Sequence, residues 1–158
     1  MLHITVPHGR EKHMVTSIRF LGKLSVEEDT AIKRKSLSPP ADFLKDKIVQ
    51  PSLDYGCGYG FDANHLGMTG WDPIYEPCFP YGLYNTIFCT YVLDVIKSKI
   101  ERLEILKSIQ SLLSKDGIAY ISVRRNCKDA FSVRLKLQSL VRNNEFETYI
   151  LKKGSRVC

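Results

Sequence analysis

The chain has 158 residues, 44% of them apolar and 25% charged, with a formal net charge of +6. That length suits one domain with a real core rather than two, and no window approaches the ~18 consecutive apolar residues of a membrane span. Five scattered cysteines without a C-x-x-C pair argue against a disulfide framework and against a zinc site, and point to a reducing cytoplasm.

Taken in chain order, residues 1–25 hold short apolar runs, Ile4 to Val6 and Met14 to Leu24, that suit a strand or a loose arm. The start has no basic stretch followed by an apolar core, so no signal peptide is expected. His3, His8 and His13 recur every five residues, which matches no helical ligand spacing and reads as surface. Ser38 before Pro39 and Pro40 predicts an N-cap and a helix to about Ile48. Leu53 to Tyr55 predicts a first strand, Asp62 to His65 a short helix closed by Gly67, and Met68 to Trp71 a second strand. Residues 73–83 include Pro73, Pro77, Pro80 and Gly82, which predict an irregular loop.

Residues 84–91, rich in β-formers, predict a buried strand, with Val92 to Ile96 continuing as a loop or helical turn. Ile100, Leu103, Leu106, Ile109 and Leu113 predict an amphipathic helix over 99–114, with Lys115-Asp116-Gly117 as its stop. Ile118 to Val123 predicts the next strand, ending in Arg124-Arg125-Asn126. Residues 133–141 fit a strand or a helix equally well, and Phe146 to Leu151 predicts a strand. One domain is expected over 1–158, with 1–37 as an N-terminal arm and 38–151 as the core.

Between the first two strands the chain reads Asp54-Tyr55-Gly56-Cys57-Gly58-Tyr59-Gly60, and the second strand ends in Trp71-Asp72-Pro73. A glycine turn after one strand and a carboxylate after the next are how an α/β sheet holds a nucleoside, because glycines let backbone approach the ligand closely. The dinucleotide fingerprint is G-x-G-x-x-G, and Phe61 stands where its third glycine belongs. Asp54, two residues before the first glycine, is a poor neighbour for pyrophosphate and a good one for a cation. S-adenosylmethionine carries a sulfonium, an ammonium, one carboxylate and no phosphate. The charge pattern agrees. Residues 51–96 contain five Asp/Glu and no Lys or Arg, whereas residues 1–50 carry nine Lys/Arg against six Asp/Glu, and residues 97–158 carry fourteen against six.

With these motifs the chain resembles the class I S-adenosylmethionine-dependent methyltransferases, and Leu112-Leu113-Ser114-Lys115-Asp116-Gly117 is similar to their usual "L-L-x-x-G-G" before a strand. The resemblance implies a Rossmann-like α/β sheet. Against that pattern this one is trimmed, its third strand and accompanying helix missing or vestigial between Asp72 and Tyr84, and an antiparallel C-terminal hairpin would close it. It also implies a cofactor site. Gly56, Cys57, Gly58 and Gly60 would line the methionine and ribose, Asp54 would orient the ammonium, Asp72 would bind the ribose hydroxyls, and Pro73 and Ile74 would pack on adenine. Thr90 and Tyr91, ending the fourth strand of the family pattern, would border the pocket, Tyr91 toward the acceptor. Cys89 reads as core rather than nucleophile. Methyl transfer mainly needs positioning and exclusion of water, so no catalytic acid or base is assigned.

The stretch from Thr30 to Ser38, with Asp-Tyr-Gly-Cys-Gly and Gly-Trp-Asp-Pro, is similar to a bacterial methyltransferase subgroup associated with DNA phosphorothioation. Basic flanks suit a nucleic acid or another phosphorylated acceptor, with Lys33, Arg34, Arg124 and Arg125 as candidate contacts. The rival expectation is a non-catalytic basic module, binding nucleic acid or a protein partner, on a degenerate version of this fold. A nicotinamide enzyme is disfavoured by Phe61. No metal is expected.

Overall fold

The computed structural model describes residues 30–128 and 131–157. The expectations for residues 1–25, the three histidines included, lie outside the described residues. Six strands form one sheet: β1 Ser52–Tyr55, β2 Thr69–Trp71, β3 Tyr84–Thr90, β4 Leu113–Arg124, β5 Gln138–Arg142 and β6 Phe146–Lys152, in the order β2-β1-β3-β4-β6-β5. The first four pair in parallel, while β6 runs antiparallel to both β4 and β5. The expected hairpin therefore closes the sheet, with its second arm inside and its first arm at the edge. Residues 131–137 are irregular, and only from Gln138 does that segment become strand.

Helices cover both faces. On one lie α1 (Pro39–Leu44) and α2 (Phe61–Leu66); on the other lies α3 (Lys99–Leu112). The strands obey period-two alternation between these layers. Ile87, Cys89, Ala119 and Ile121 pack toward Ile105 and Ile109 of α3, while Phe88 and Tyr120 face Ala41, Leu44 and Ala63. Because β3 is sandwiched, five of its seven residues are buried.

Ser38 caps α1 as expected, accepting from the Ala41 amide, and the helix gives way to a 3-10 turn at Lys45–Lys47. Ser38 also donates twice to Asp62 in the first turn of α2, from its amide to Oδ1 (3.0 Å) and from its hydroxyl to Oδ2 (2.6 Å). Both residues are buried. This serine thus ties the two helices of one layer together.

Three details depart from the sequence expectation. Helix α3 ends at Leu112, and β4 begins at once at Leu113. Lys115-Asp116-Gly117 is not a helix stop but part of a bulge: Tyr84 pairs with Leu113 and Thr86 with Ile118, so 114–117 face the single residue Asn85. Ser114 Oγ donates to Asn85 Oδ1 at 2.7 Å, and a Cβ on Gly117 would stand 2.6 Å from the Tyr84 carbonyl oxygen. Ile100 is not on the buried face of α3 but 73% exposed. Each three-residue step falls about 60° short of a turn, which puts Ile100 roughly 120° around from Leu106.

As expected, residues 73–83 supply neither helix nor sheet strand, apart from a bridge between Asp72 and Glu76. The sheet therefore ends at the three-residue strand β2. No helix among the described residues is long and apolar enough to cross a membrane.

Ser38→Ala should cost about 2–3 kcal/mol, since it removes a helix cap and a hydrogen bond to a buried carboxylate. Urea denaturation should show a lower midpoint at unchanged slope.

Candidate functional site

The carboxyl ends of β1 to β4 open into one cleft of about 120 Å³. It lies where strand order reverses around β1 and β3, the position at which open α/β sheets bind ligands. β1 delivers Asp54 and Tyr55 to it, and β2 delivers Trp71 with Asp72 just beyond. β3 delivers Thr90 with Tyr91 just beyond, and β4 delivers Arg124.

The glycine turn is held to the end of β2 by three consecutive amides. Gly56 N and Cys57 N both donate to the Trp71 carbonyl, at 2.7 and 3.0 Å, and Gly58 N donates to Asp72 Oδ2 at 3.0 Å. The path demands glycine at two positions for separate reasons. Gly56 has φ +82°, and a Cβ there would collide with Val92 Cγ2. Gly58 has φ +54°, and a Cβ would come within 3.1 Å of Ala31. Gly60 (φ +76°) is buried outside the cleft lining and opens α2 as its left-handed N-cap.

Asp72 is engaged on both oxygens. Besides Gly58 N, it accepts the Ile74 amide at 2.9 Å and the Tyr75 amide at 3.1 Å through Oδ1. Its carboxylate organises the turn that carries Pro73 and Ile74 along the cleft wall. Cys57 also lines the cleft. Burial pushes its thiol up to about 12, with Asp54 and Asp72 adding to the rise, so it stays protonated. Cys89 is wholly buried in the core.

Asp54 stands apart. It is 4% exposed, yet among the described residues no donor hydrogen-bonds its carboxylate. Its carboxyl is pushed up to about 7, first by desolvation, then by Asp62 and, less, by Asp72; Arg34 opposes the shift. Sequence reasoning missed Asp62 as a cleft residue. It reads as an ordinary first-turn acid of α2, and only its place beside Ser38 turns it inward. Three carboxylates thus share one wall, and only two of them, Asp62 and Asp72, are hydrogen-bonded.

The cleft also carries cationic groups. Arg34 and Arg124 both line the cleft. Their guanidinium carbons lie 5.8 and 4.7 Å from the centre of the Tyr91 ring. Lys33 and Arg125, the other two basic candidates, are not in the lining. Lys33 reaches over the Tyr59 ring (5.5 Å), and Arg125 donates to the Asn143 carbonyl (2.6 Å). Thr30 to Ile32 also close over the cleft, a contact that their composition does not announce.

No family model and no curated protein matches the chain. Among solved structures it is similar to a TehB-like S-adenosylmethionine-dependent methyltransferase from Corynebacterium glutamicum (16% identity, 90% of this chain and 99% of that one, TM-score 0.58). It is also similar to 1,6-didemethyltoxoflavin-N1-methyltransferase of Burkholderia thailandensis, solved with 1,6-didemethyltoxoflavin and S-adenosylhomocysteine bound (14% identity, 94% and 92% covered, TM-score 0.55). A third is TehB from Haemophilus influenzae (11% identity, 83% and 66% covered, TM-score 0.52). The fold is that of the class I methyltransferases, trimmed by one strand and one helix.

Two predictions follow from the cleft's geometry. Between pH ~4 and ~7 the folded state keeps a proton on Asp54 that the unfolded chain has released. Stability from this group is therefore present at low pH and lost as pH rises through about 7. Asp54→Asn should raise stability by ~2–4 kcal/mol at pH 8 and hardly at all at pH 4, as read by denaturation at the two pH values. Gly56→Ala should cost about 2–4 kcal/mol from the left-handed strain and the Val92 contact together. Val92→Ala in the same chain should restore only the contact part.

Proposed function

We propose that this chain is an S-adenosylmethionine-dependent methyltransferase. The observation that carries the reading is Asp54: a buried carboxylate with no hydrogen-bond donor among the described residues, crowded by two more carboxylates and only partly offset by Arg34, on the wall of the cleft. Such a group raises the free energy of the empty protein. It is relieved by a bound cation with hydrogen-bond donors, and an ammonium next to a sulfonium is that kind of cation.

The residues present fit the donor. Gly56 and Gly58 line the cleft as bare backbone, and the space their side chains would take is filled by Val92 and Ala31, which also line it. Asp54 would take the ammonium. A carboxylate offers about four acceptor positions, and the three amides on Asp72 leave about one for a ribose hydroxyl. Pro73 and Ile74 provide an apolar flank for a base, and Ile74 is 47% exposed, so its side chain is available for such a contact. Bound S-adenosylmethionine supplies an activated methyl group, whose bond to sulfur breaks as the acceptor's lone pair forms the new one. The protein's part is to hold the partners in line and keep water out. Tyr91 and Thr90, at the mouth of β3, are the residues beside which the acceptor would lie.

Calorimetric titration with S-adenosylmethionine and S-adenosylhomocysteine is the test. Micromolar binding is expected, tightening as pH rises through about 7 and Asp54 ionises. Asp54→Asn should weaken binding about tenfold or more while stabilising the free protein, a pair of opposite signs that a merely structural carboxylate would not give. Absence of binding by either compound would sink the reading. Salt-dependent retention on nucleic acid without cofactor affinity would favour the rival non-catalytic module.

A further inference from the structure

The cleft holds cationic as well as acidic side chains, and the proposed donor's ammonium and sulfonium call on the acidic ones. In the same cleft the sequence places two arginines, 90 positions apart, at one aromatic ring. Arg34 lies in the irregular segment before α1, and Arg124 is the last residue of β4. Neither makes a close ion pair among the described residues, and the carboxylates within electrostatic reach are buried ones, Asp54 for Arg34 and Asp94 for Arg124. Two guanidiniums drawn to one ring repel each other, so a geometry that keeps both in a concave site is one an anion would stabilise.

Three further observations bear on this pair. Tyr91, the ring between them, sits at φ +61°, an unfavourable conformation for a tyrosine, and is fixed there by its amide donating to the Ser122 carbonyl at 2.8 Å. Burial holds its phenol well above the ordinary range, at about 12, so it is a neutral hydrogen-bond donor and not a competing anion. The backbone of Arg124 is anchored by its amide donating to Asp94 Oδ2 at 2.7 Å, from an aspartate that is fully buried. The strand end that carries one guanidinium is thus fixed in place, and the ring against which both rest is held in strain.

We propose that Arg34 and Arg124 form an anion-binding subsite for the methyl acceptor, which is therefore a small molecule bearing a carboxylate or phosphate group next to the accepting atom. This rests on the methyltransferase reading for the role of the site, not for its existence. A nucleic acid fits less well. Following a phosphate backbone takes a run of cations, and the two that would extend this pair, Lys33 and Arg125, are turned to Tyr59 and to the Asn143 carbonyl. Tyr91 is a positioning residue here, offering its ring face to both guanidiniums and its hydroxyl to the bound group.

The test is calorimetric titration of the full chain with inorganic phosphate at constant ionic strength, with and without saturating S-adenosylhomocysteine. The parent should bind phosphate saturably in both conditions. Arg34→Gln and Arg124→Gln should each weaken it about tenfold, while Lys33→Gln and Arg125→Gln, one residue away from each, should leave it unchanged. Affinity for S-adenosylhomocysteine should persist in all four, which also shows that the variants fold. Equal losses in all four variants would mean diffuse surface charge and overturn the subsite. Competition between phosphate and S-adenosylhomocysteine would assign the arginines to the donor's own carboxylate and overturn it too. An oligonucleotide that binds far more tightly than phosphate and loses affinity in all four variants would replace the small acceptor by a nucleic acid. Phosphate binding that behaves as described in a chain with no affinity for S-adenosylhomocysteine would leave the anion site standing and remove the methyltransferase reading.

Discussion

Three successive amides, those of Gly56, Cys57 and Gly58, are bound to the last carbonyl of β2 and the first carboxylate beyond it. Most of the site depends on that arrangement. It fixes the glycine turn against the neighbouring strand, so the turn cannot fold back over the end of β1 and cover Asp54. It makes Asp72 part of the scaffold before any ligand arrives. It also requires the positive φ values that only glycine adopts without cost, with Val92 from the bend after β3 pressed against the first of them. A polar turn is thereby made rigid by the strand pairing beneath it.

The same arrangement places charge where the isolated domain would be better without it. Asp54, Asp62 and Asp72 share a wall, and Arg34 offsets them only in part. Asp62 and Asp72 are stabilised by hydrogen bonds inside the protein, from Ser38 in one case and from three amides in the other. Asp54 is left to the cleft. A destabilised group at a preorganised site is a common signature of binding function, since the strain is relieved only when the ligand is present.

Losing a strand and a helix after β2 has a structural consequence. Residues 73–83 return from β2 to β3 without adding to the sheet, and β2 becomes an edge of only three residues. Short edge strands limit pairing with other chains. Aromatic contacts support this end instead. Trp71 packs against Tyr55 at 4.6 Å and meets Phe79 from the loop edge-on at 5.4 Å, while Tyr59 and Tyr75 join the glycine turn to the same loop through their hydroxyls at 3.1 Å. The prolines that prevent a helix there also restrict the loop enough for such contacts to be made.

Much of this was written locally. Glycine spacing, the acids after two strands, Ser38 before two prolines and the alternation of β-formers from Tyr84 all act over a few residues, so the strands they mark, the trimming after Asp72 and the capped helix could be read from the chain alone, whereas the first arm of the closing hairpin, within 133–141, could not be told from a helix. Other features depend on contacts between distant residues. That 114–117 bulge opposite Asn85 depends on a neighbouring strand 29 positions away. That Ile100 faces solvent depends on which part of α3 the sheet covers. Above all, four basic candidates looked equivalent in sequence, and the fold divided them. Arg34 and Arg124 line the cleft beside Tyr91, while Lys33 and Arg125, each next to one of them, reach instead to Tyr59 and to the Asn143 carbonyl. Sequence determined what chemistry was available. Tertiary structure decided which of those groups meet, because charge acts through space and the chain order does not record distance.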